Sequence, residues 1–292
     1  MSIIVGLVSR NLRLFFRDRL NVFFSLLSGL ILFLLYTLFL ARLQVDGLTA
    51  TLPNATEDEI AAFVDSWMLS GIVLLTTVTS GIGALSTLVD DRATGRFADF
   101  LVAPIRRTHL VLGYLLSSVV VALIMSSVIL LLTIGYLGVI RGVWLSPAAV
   151  LTSVGVMILC CAAFTALAAF GASFLRTSGA YSAFATVLGT ILGFVAGAYI
   201  PVGSLPGGVA STINALPFAQ GAMLLRRPFT EETLATVTAG NAQASADLRE
   251  FYGIDLFVGS AQVPVWLAIS VLALVAIGFA ALSAGRIRSL LR

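Results

Sequence analysis

Lysine is absent from the 292 residues; all seventeen basic side chains are arginine. Genomic base composition is sufficient to explain that choice, but one exclusion follows from it. A P-loop needs a lysine to reach the terminal phosphates of a nucleotide, so this chain cannot carry its own Walker A site. Histidine is nearly absent too. The single copy, His109, rules out an H-E-x-x-H metal site and reads as a membrane-boundary residue. The two cysteines, Cys160 and Cys161, are adjacent in an apolar run; they cannot easily pair, nothing nearby completes a metal set, and they read as small packing residues. Charge is scarce at 11%, against about a quarter in soluble domains.

What is present is apolar. Hydrophobic residues make up 59% of the chain and the mean hydropathy is +1.05. Long uncharged runs point to transmembrane helices, which need about 20 residues to cross a core of roughly 30 Å. Spans are expected near 20–41, 66–89, 110–138, 148–174, 181–200 and 263–284. The first apolar run is too long for a signal-peptide core, and no A-x-A-like site follows it. The expected fold is an all-α membrane protein, read as a single transmembrane domain over 1–292. Twelve arginines fall on one side of the six spans and five on the other, so both termini are expected in the cytoplasm. Residues 201–262 then form an external region.

An intramembrane ionisable group is the default mark of a proton relay, voltage sensor or ion site. None lies within the six expected spans, which argues against a proton-coupled carrier, a voltage-gated channel or an intramembrane enzyme. The expected chain has neither a catalytic set nor an internal energy source, and no metal or cofactor site. A second protein is the simplest supplier of energy.

Residues 3–19 read as an amphipathic helix on the inner membrane face. Arg10, Arg13 and Arg17 share one side, toward headgroups, with Ile4, Val8, Leu12, Phe15 and Phe16 opposite. The alternative is a simple orientation signal. Thr76, Ser80, Gly83 and Thr87 share one face of span 2, as a polar pathway lining or as a packing stripe. Gly189, Gly193 and Gly197 continue the small-residue stripe of Ser182 and Thr186, a helix seam within the subunit or between two copies. After span 5, PVGSLPGG at 201–208 breaks the chain. Two half-helices of about ten residues, each about 15 Å long, are expected to dip into the outer leaflet and return. Thr230 is a plausible N-cap for a helix that starts with Glu231 and Glu232.

The most charged stretch is DDRATGRFADFLVAPIRRTH at 90–109, between spans 2 and 3. Thr94 can cap a short helix over 95–102. Phe97, Phe100 and Leu101 then lie beside Arg96 and Asp99, and Pro104 stops the helix. Held between two spans, such a helix suits a groove in a cytosolic partner.

These residues also resemble a family. Asp91-Arg92, Gly95, Asp99, Ala103-Pro104-Ile105, Arg106 and Gly113 look like the signature loop of ABC-2-type permeases, the membrane subunits of bacterial ABC exporters. Asn11, Arg17-Asp18-Arg19 and Asn214-Ala215-Leu216-Pro217-Phe218 with Arg226 are similar as well. Two departures stand out: Asp91 where glutamate is usual, and Tyr114 where lysine is common. The resemblance implies a permease in the bacterial inner membrane, working as a homodimer or heterodimer with ATP-binding cassette subunits that hold ATP and Mg. It makes 3–19 the interfacial helix and 95–102 the coupling helix, whose ATPase-facing set includes Asp91. It places Asn214, Pro217 and Phe218 in an outer gate. It implies an amphipathic cargo, such as a drug, an antimicrobial peptide or a lipid-linked molecule, with membrane lipid but no nucleic acid as a further partner. The rival class is a non-transport scaffold or a lipid-modifying accessory subunit.

Overall fold

The computed structural model describes residues 3–96 and 107–290, apart from the side chains of Asn21, Ser28, Arg107 and residues 288–290. Helix α1 runs over Ile3–Arg17 and stops at Asp18, the one non-helical residue before α2 (Arg19–Leu35). A π-helical turn at Tyr36–Leu40 joins α2 to α3 (Ala41–Thr51). Then come α4 (Glu57–Ala93), α5 (Arg107–Ile140), α6 (Pro147–Ala172) and α7 (Ser178–Val195). Two outer helices, α8 (Gly207–Asn214) and α9 (Pro217–Thr238), precede α10 (Ala242–Phe251). A two-residue hairpin, β1 (Phe257–Val258) with β2 (Ala261–Gln262), leads into α11 (Val265–Leu290). Among the described residues six helices are long and apolar enough to cross a membrane: Val22–Thr51, Glu57–Ala93, Thr108–Ile140, Pro147–Ala172, Ser178–Val195 and Val265–Ile287.

Local chemistry sets the ends. Thr56 accepts the Glu59 amide while Glu59 accepts the Thr56 amide, a reciprocal capping box. Glu57, Asp58 and Glu59 add three carboxylates to the positive end of the helix dipole. Ser146 caps α6, with Pro147 at its first position, and Thr177 caps α7.

Helix α4 is the centre. It packs against α2, α5, α6, α7 and α9. Its apolar window is 78% buried, against 24% for the first span and 11% for α11. The capping box starts α4 nine residues earlier than the expected span 2, which brings Asp65 into the helix. Asp65 is buried and paired with Arg141 at 2.6 Å. Asp65 stands one residue before the expected span, where a partner arginine meets the cost of its burial.

The outer excursion is also longer than expected. Its first arm, α8, has eight residues, but its second, α9, has 22 and runs through Pro228. Thr230 is therefore not an N-cap. It is buried inside α9, and its hydroxyl donates to the Arg226 carbonyl at 2.8 Å, the usual fate of a threonine in mid-helix. The helix ends instead at Ala239 and Gly240, both left-handed (φ 46° and 80°).

Candidate functional site

Two buried clusters lie near the two ends of α4. The one at the charged-loop end, called inner after the expected topology, is built on Asp91, whose side chain is 1% exposed. Arg10 of α1 grips it with a two-pronged fork, at 2.8 and 3.1 Å. The Tyr114 hydroxyl of α5 donates to the same carboxylate at 2.6 Å. Arg96 stands 3.6 Å away and is largely exposed. One α-turn along α1 from Leu7, the Asn11 amide donates to the Ser117 hydroxyl of α5 at 3.0 Å. The hydrogen bond to Asp91 holds the Arg10 guanidinium above its ordinary pKa.

Why does α1 lie so close to α5? Leu7, Asn11 and Phe15 form its buried stripe at steps of four, and Gly113 gives them room. A Cβ on Gly113 would meet the Leu7 side chain at 2.8 Å. Arg10 therefore turns inward to a carboxylate, not outward to headgroups as expected. A buried acid is a stronger attraction than a solvated surface. Arg13 and Arg17 are on the exposed side.

Thr94 ends α4. Its hydroxyl donates to the Asp90 carbonyl at 2.7 Å, and Gly95 follows with φ 76°. A left-handed residue here is the common way to turn out of a helix. Of the expected 95–102 helix, Gly95 and Arg96 lie within the described residues; Phe97, Asp99, Phe100, Leu101 and Pro104 lie outside them.

The outer cluster is built on Arg226 of α9, which is 2% exposed. It donates to the carbonyls of Ala196 (3.0 Å), Gly197 (2.7 Å) and Gly253 (3.4 Å). Its guanidinium carbon sits 5.3 Å from the centre of the Trp67 ring. Trp67 in turn donates through Nε1 to the Tyr252 carbonyl at 2.8 Å, and the Tyr252 hydroxyl donates to Gln44 at 2.8 Å. Among the described residues no carboxylate pairs with Arg226. Burial pushes its pKa down to about 10, so it remains a cation at neutral pH. Gly197 and Gly253 both have positive φ (62° and 64°), and a Cβ on them would meet the guanidinium at 3.1 and 2.7 Å. Both glycines thus serve the backbone turn and the close approach of the cation.

The other expected residues separate into different roles. Thr76 is buried and its hydroxyl donates to Ile72; a Cβ on Gly29 of α2 would lie 3.3 Å from it. Ser80 is fully buried, with no partner for its hydroxyl among the described residues, and Thr87 is half-buried. The glycine stripe does not act as one surface. Gly189 has nothing near it within the chain, Gly193 lies against the Tyr199 ring, and Gly197 lies beyond the end of α7 on Arg226. Asn214 donates to the Phe257 carbonyl at 2.9 Å and ties α8 to the hairpin. Pro217 opens α9. Phe218 stacks on Phe164 of α6, centroids 4.9 Å apart. Both rings line an apolar cleft of about 240 Å³ between α4, α6 and α7.

Sequence reasoning missed the outer cluster. Arg226 directly follows the buried run 219–225 on its helix, and Trp67 sits where an indole N–H needs a partner. Among the described residues no group of three or more His, Cys, Asp or Glu could hold a metal.

Neither cluster contains a nucleophile with a base. Both fasten helices together: the inner one joins α1, α4 and α5, the outer one joins α4, α7, α9 and the turn before the hairpin. A comparison with curated proteins finds no match. A family model described as ABC-2 type transporter matches residues 4–228, a stretch that includes α1, the charged loop, five of the six membrane-crossing helices, α8 and the start of α9 as far as Pro228. The chain belongs to the ABC-2 type transporter family, as a membrane-spanning transport subunit and not an ATPase.

Proposed function

We propose that this subunit is the permease of an ATP-driven exporter, working as a dimer with two ATPase subunits that dock on the 95–102 helix. The observation that carries the reading is the Asp91 clasp. It sits directly before the charged loop and binds α1 and α5 to the end of α4. A displacement of the loop by a partner is then passed to two spans and to the interfacial helix together. The cargo in this reading is amphipathic and moves outward, and the stacked Phe218–Phe164 pair closes its outer route. Helix α1 rests along the inner membrane face, with Arg13 and Arg17 toward headgroups.

The test is ATPase pull-down together with substrate-stimulated ATP hydrolysis for Phe97→Ala, Phe100→Ala and Arg96→Ala. Buried aromatic anchors contribute about 2 kcal/mol or more in such contacts, and rim charges less. The phenylalanine variants should uncouple hydrolysis from transport or release the ATPase, with Arg96→Ala milder. Wild-type values for both phenylalanine variants would remove the loop from the mechanism and favour the scaffold reading.

A further inference from the structure

Arginines from two helices and one link converge at the end of the bundle that carries the charged loop. The Arg92 side chain, at the end of α4, donates to the Ser173 carbonyl at 3.3 Å. The Arg286 guanidinium, near the end of α11, lies 4.4 Å over the Phe174 ring. Arg176 follows in the same α6–α7 link as Ser173 and Phe174. Arg92 and Arg286 thus contact neighbouring residues of one link, Ser173 and Phe174, with Arg176 two positions further on. Among the described residues no carboxylate pairs with Arg92 or Arg176. The neighbouring acid, Asp90, is engaged by the Ser178 hydroxyl at 2.7 Å. Arg92 and Arg176 thus bring like charges to one end of the bundle, a cost that a bound anion relieves.

Next to the arginines is an aromatic trio. Phe174 is 50% exposed and packs edge-on against Phe170 at 5.1 Å; Phe170 meets Phe279 of α11 at 5.4 Å. The rings step from the link back along α6 and α11, in the direction of the apolar membrane core. A protein acid or free phosphate has no use for that surface. A lipid uses both parts, with its phosphate on the arginines and its chains along the rings.

We propose that Arg92, Arg176 and Arg286 form a binding site for the headgroup of an anionic glycerophospholipid, with Phe174, Phe170 and Phe279 as the seat for its chains. Forked guanidiniums suit a phosphate better than point charges do, and basic pockets between spans are a known form of headgroup site. The site lies apart from the Asp91 clasp, and the lipid it holds would brace α4, the α6–α7 link and α11.

The experiment uses the full chain in lipid nanodiscs and in detergent, so sidedness does not enter. Native mass spectrometry would count retained phosphatidylglycerol and phosphatidylcholine as each is titrated. The wild type should retain one phosphatidylglycerol about tenfold more tightly than phosphatidylcholine. Arg176→Gln alone should lower that preference about fivefold, as expected for one interfacial charge, and Arg92→Gln/Arg176→Gln/Arg286→Gln should abolish it. Phe174→Ser should weaken retention of both lipids. Arg176 is exposed at the surface, so its single variant stays informative if the triple variant misfolds. Equal retention of the two lipids by wild type would overturn the site. So would an unchanged preference in the triple variant. Displacement of the lipid by inorganic phosphate at equal concentration would mean that the rings play no part, which also overturns it. Loss of ATPase co-purification from the triple variant with lipid preference intact would assign the arginines to protein acids instead.

Discussion

Arg226 is a buried cation balanced by carbonyl oxygens and an indole face, with no carboxylate among the described residues. Removing it orphans up to three carbonyl acceptors, each of which costs about 1–3 kcal/mol when left unpaired. Arg226→Met should lower stability in detergent by at least about 2 kcal/mol, and Arg226→Lys should recover little, since an ammonium lacks the fork that spans Ala196, Gly197 and Gly253. Gly253→Ala should be destabilising for the same reason, because its Cβ enters the guanidinium's place. Measured by thermal unfolding, Gly253→Ala with Arg226→Met should cost less than the sum of the two, as residues in contact do not add. At the other cluster, the two departures from the family pattern prove to be partners: Tyr114 donates to Asp91. Tyr114→Phe should cost about 1–3 kcal/mol, and Arg10→Ala on the order of 3 kcal/mol, because it strands a buried carboxylate. That contact was not legible beforehand. Residues 10, 91 and 114 are far apart in sequence, and only the fold brings them together. Arg10 could be read only by its helical phase, which matched a surface face equally well.

At the scale of elements, the spans were legible and their ends were not. Runs of twenty apolar residues carry a strong signal, but the start of α4 is decided by a four-residue capping box outside the apolar run. The second outer arm exceeds the expected ten residues because neither Pro217 nor Pro228 ends it. Pro217 is instead a first-turn proline, where its missing N–H is no loss. The glycines carried an ambiguous message, since a stripe of small residues fits a partner helix, a ring or a turn. Gly193 takes a ring, so Gly193→Leu should destabilise the single chain through Tyr199, whose ring a Cβ would already meet at 2.0 Å. Overpacking of this kind costs about 1–3 kcal/mol. Unchanged unfolding in detergent would refute it. Gly113→Val should push Leu7 and lift α1 from α5, seen as a longer distance between spin labels on Val5 and Leu116. A distance unchanged from wild type would show that the gap absorbs the methyls.

For the whole molecule, the arginine count predicts both termini and residues 90–109 inside. Single cysteines in a background without Cys160 and Cys161 would test it with an impermeant thiol reagent in intact cells. Labelling is expected at Asn54 and Gln243 and not at Ser289; the reverse pattern would invert every assignment of inner and outer made above. The core helix then acquires a mechanical meaning. Asp65 and Asp91 lie 26 residues apart on α4, about 39 Å at 1.5 Å per residue. Each is fastened to other elements, and the helix between them is continuous. A force on the loop therefore emerges at the far end as rotation of a stiff beam. One degree of tilt about the inner fastening carries the outer end through about 0.7 Å over that length, so in the proposed coupling a small rotation at the loop end becomes a larger displacement at the other.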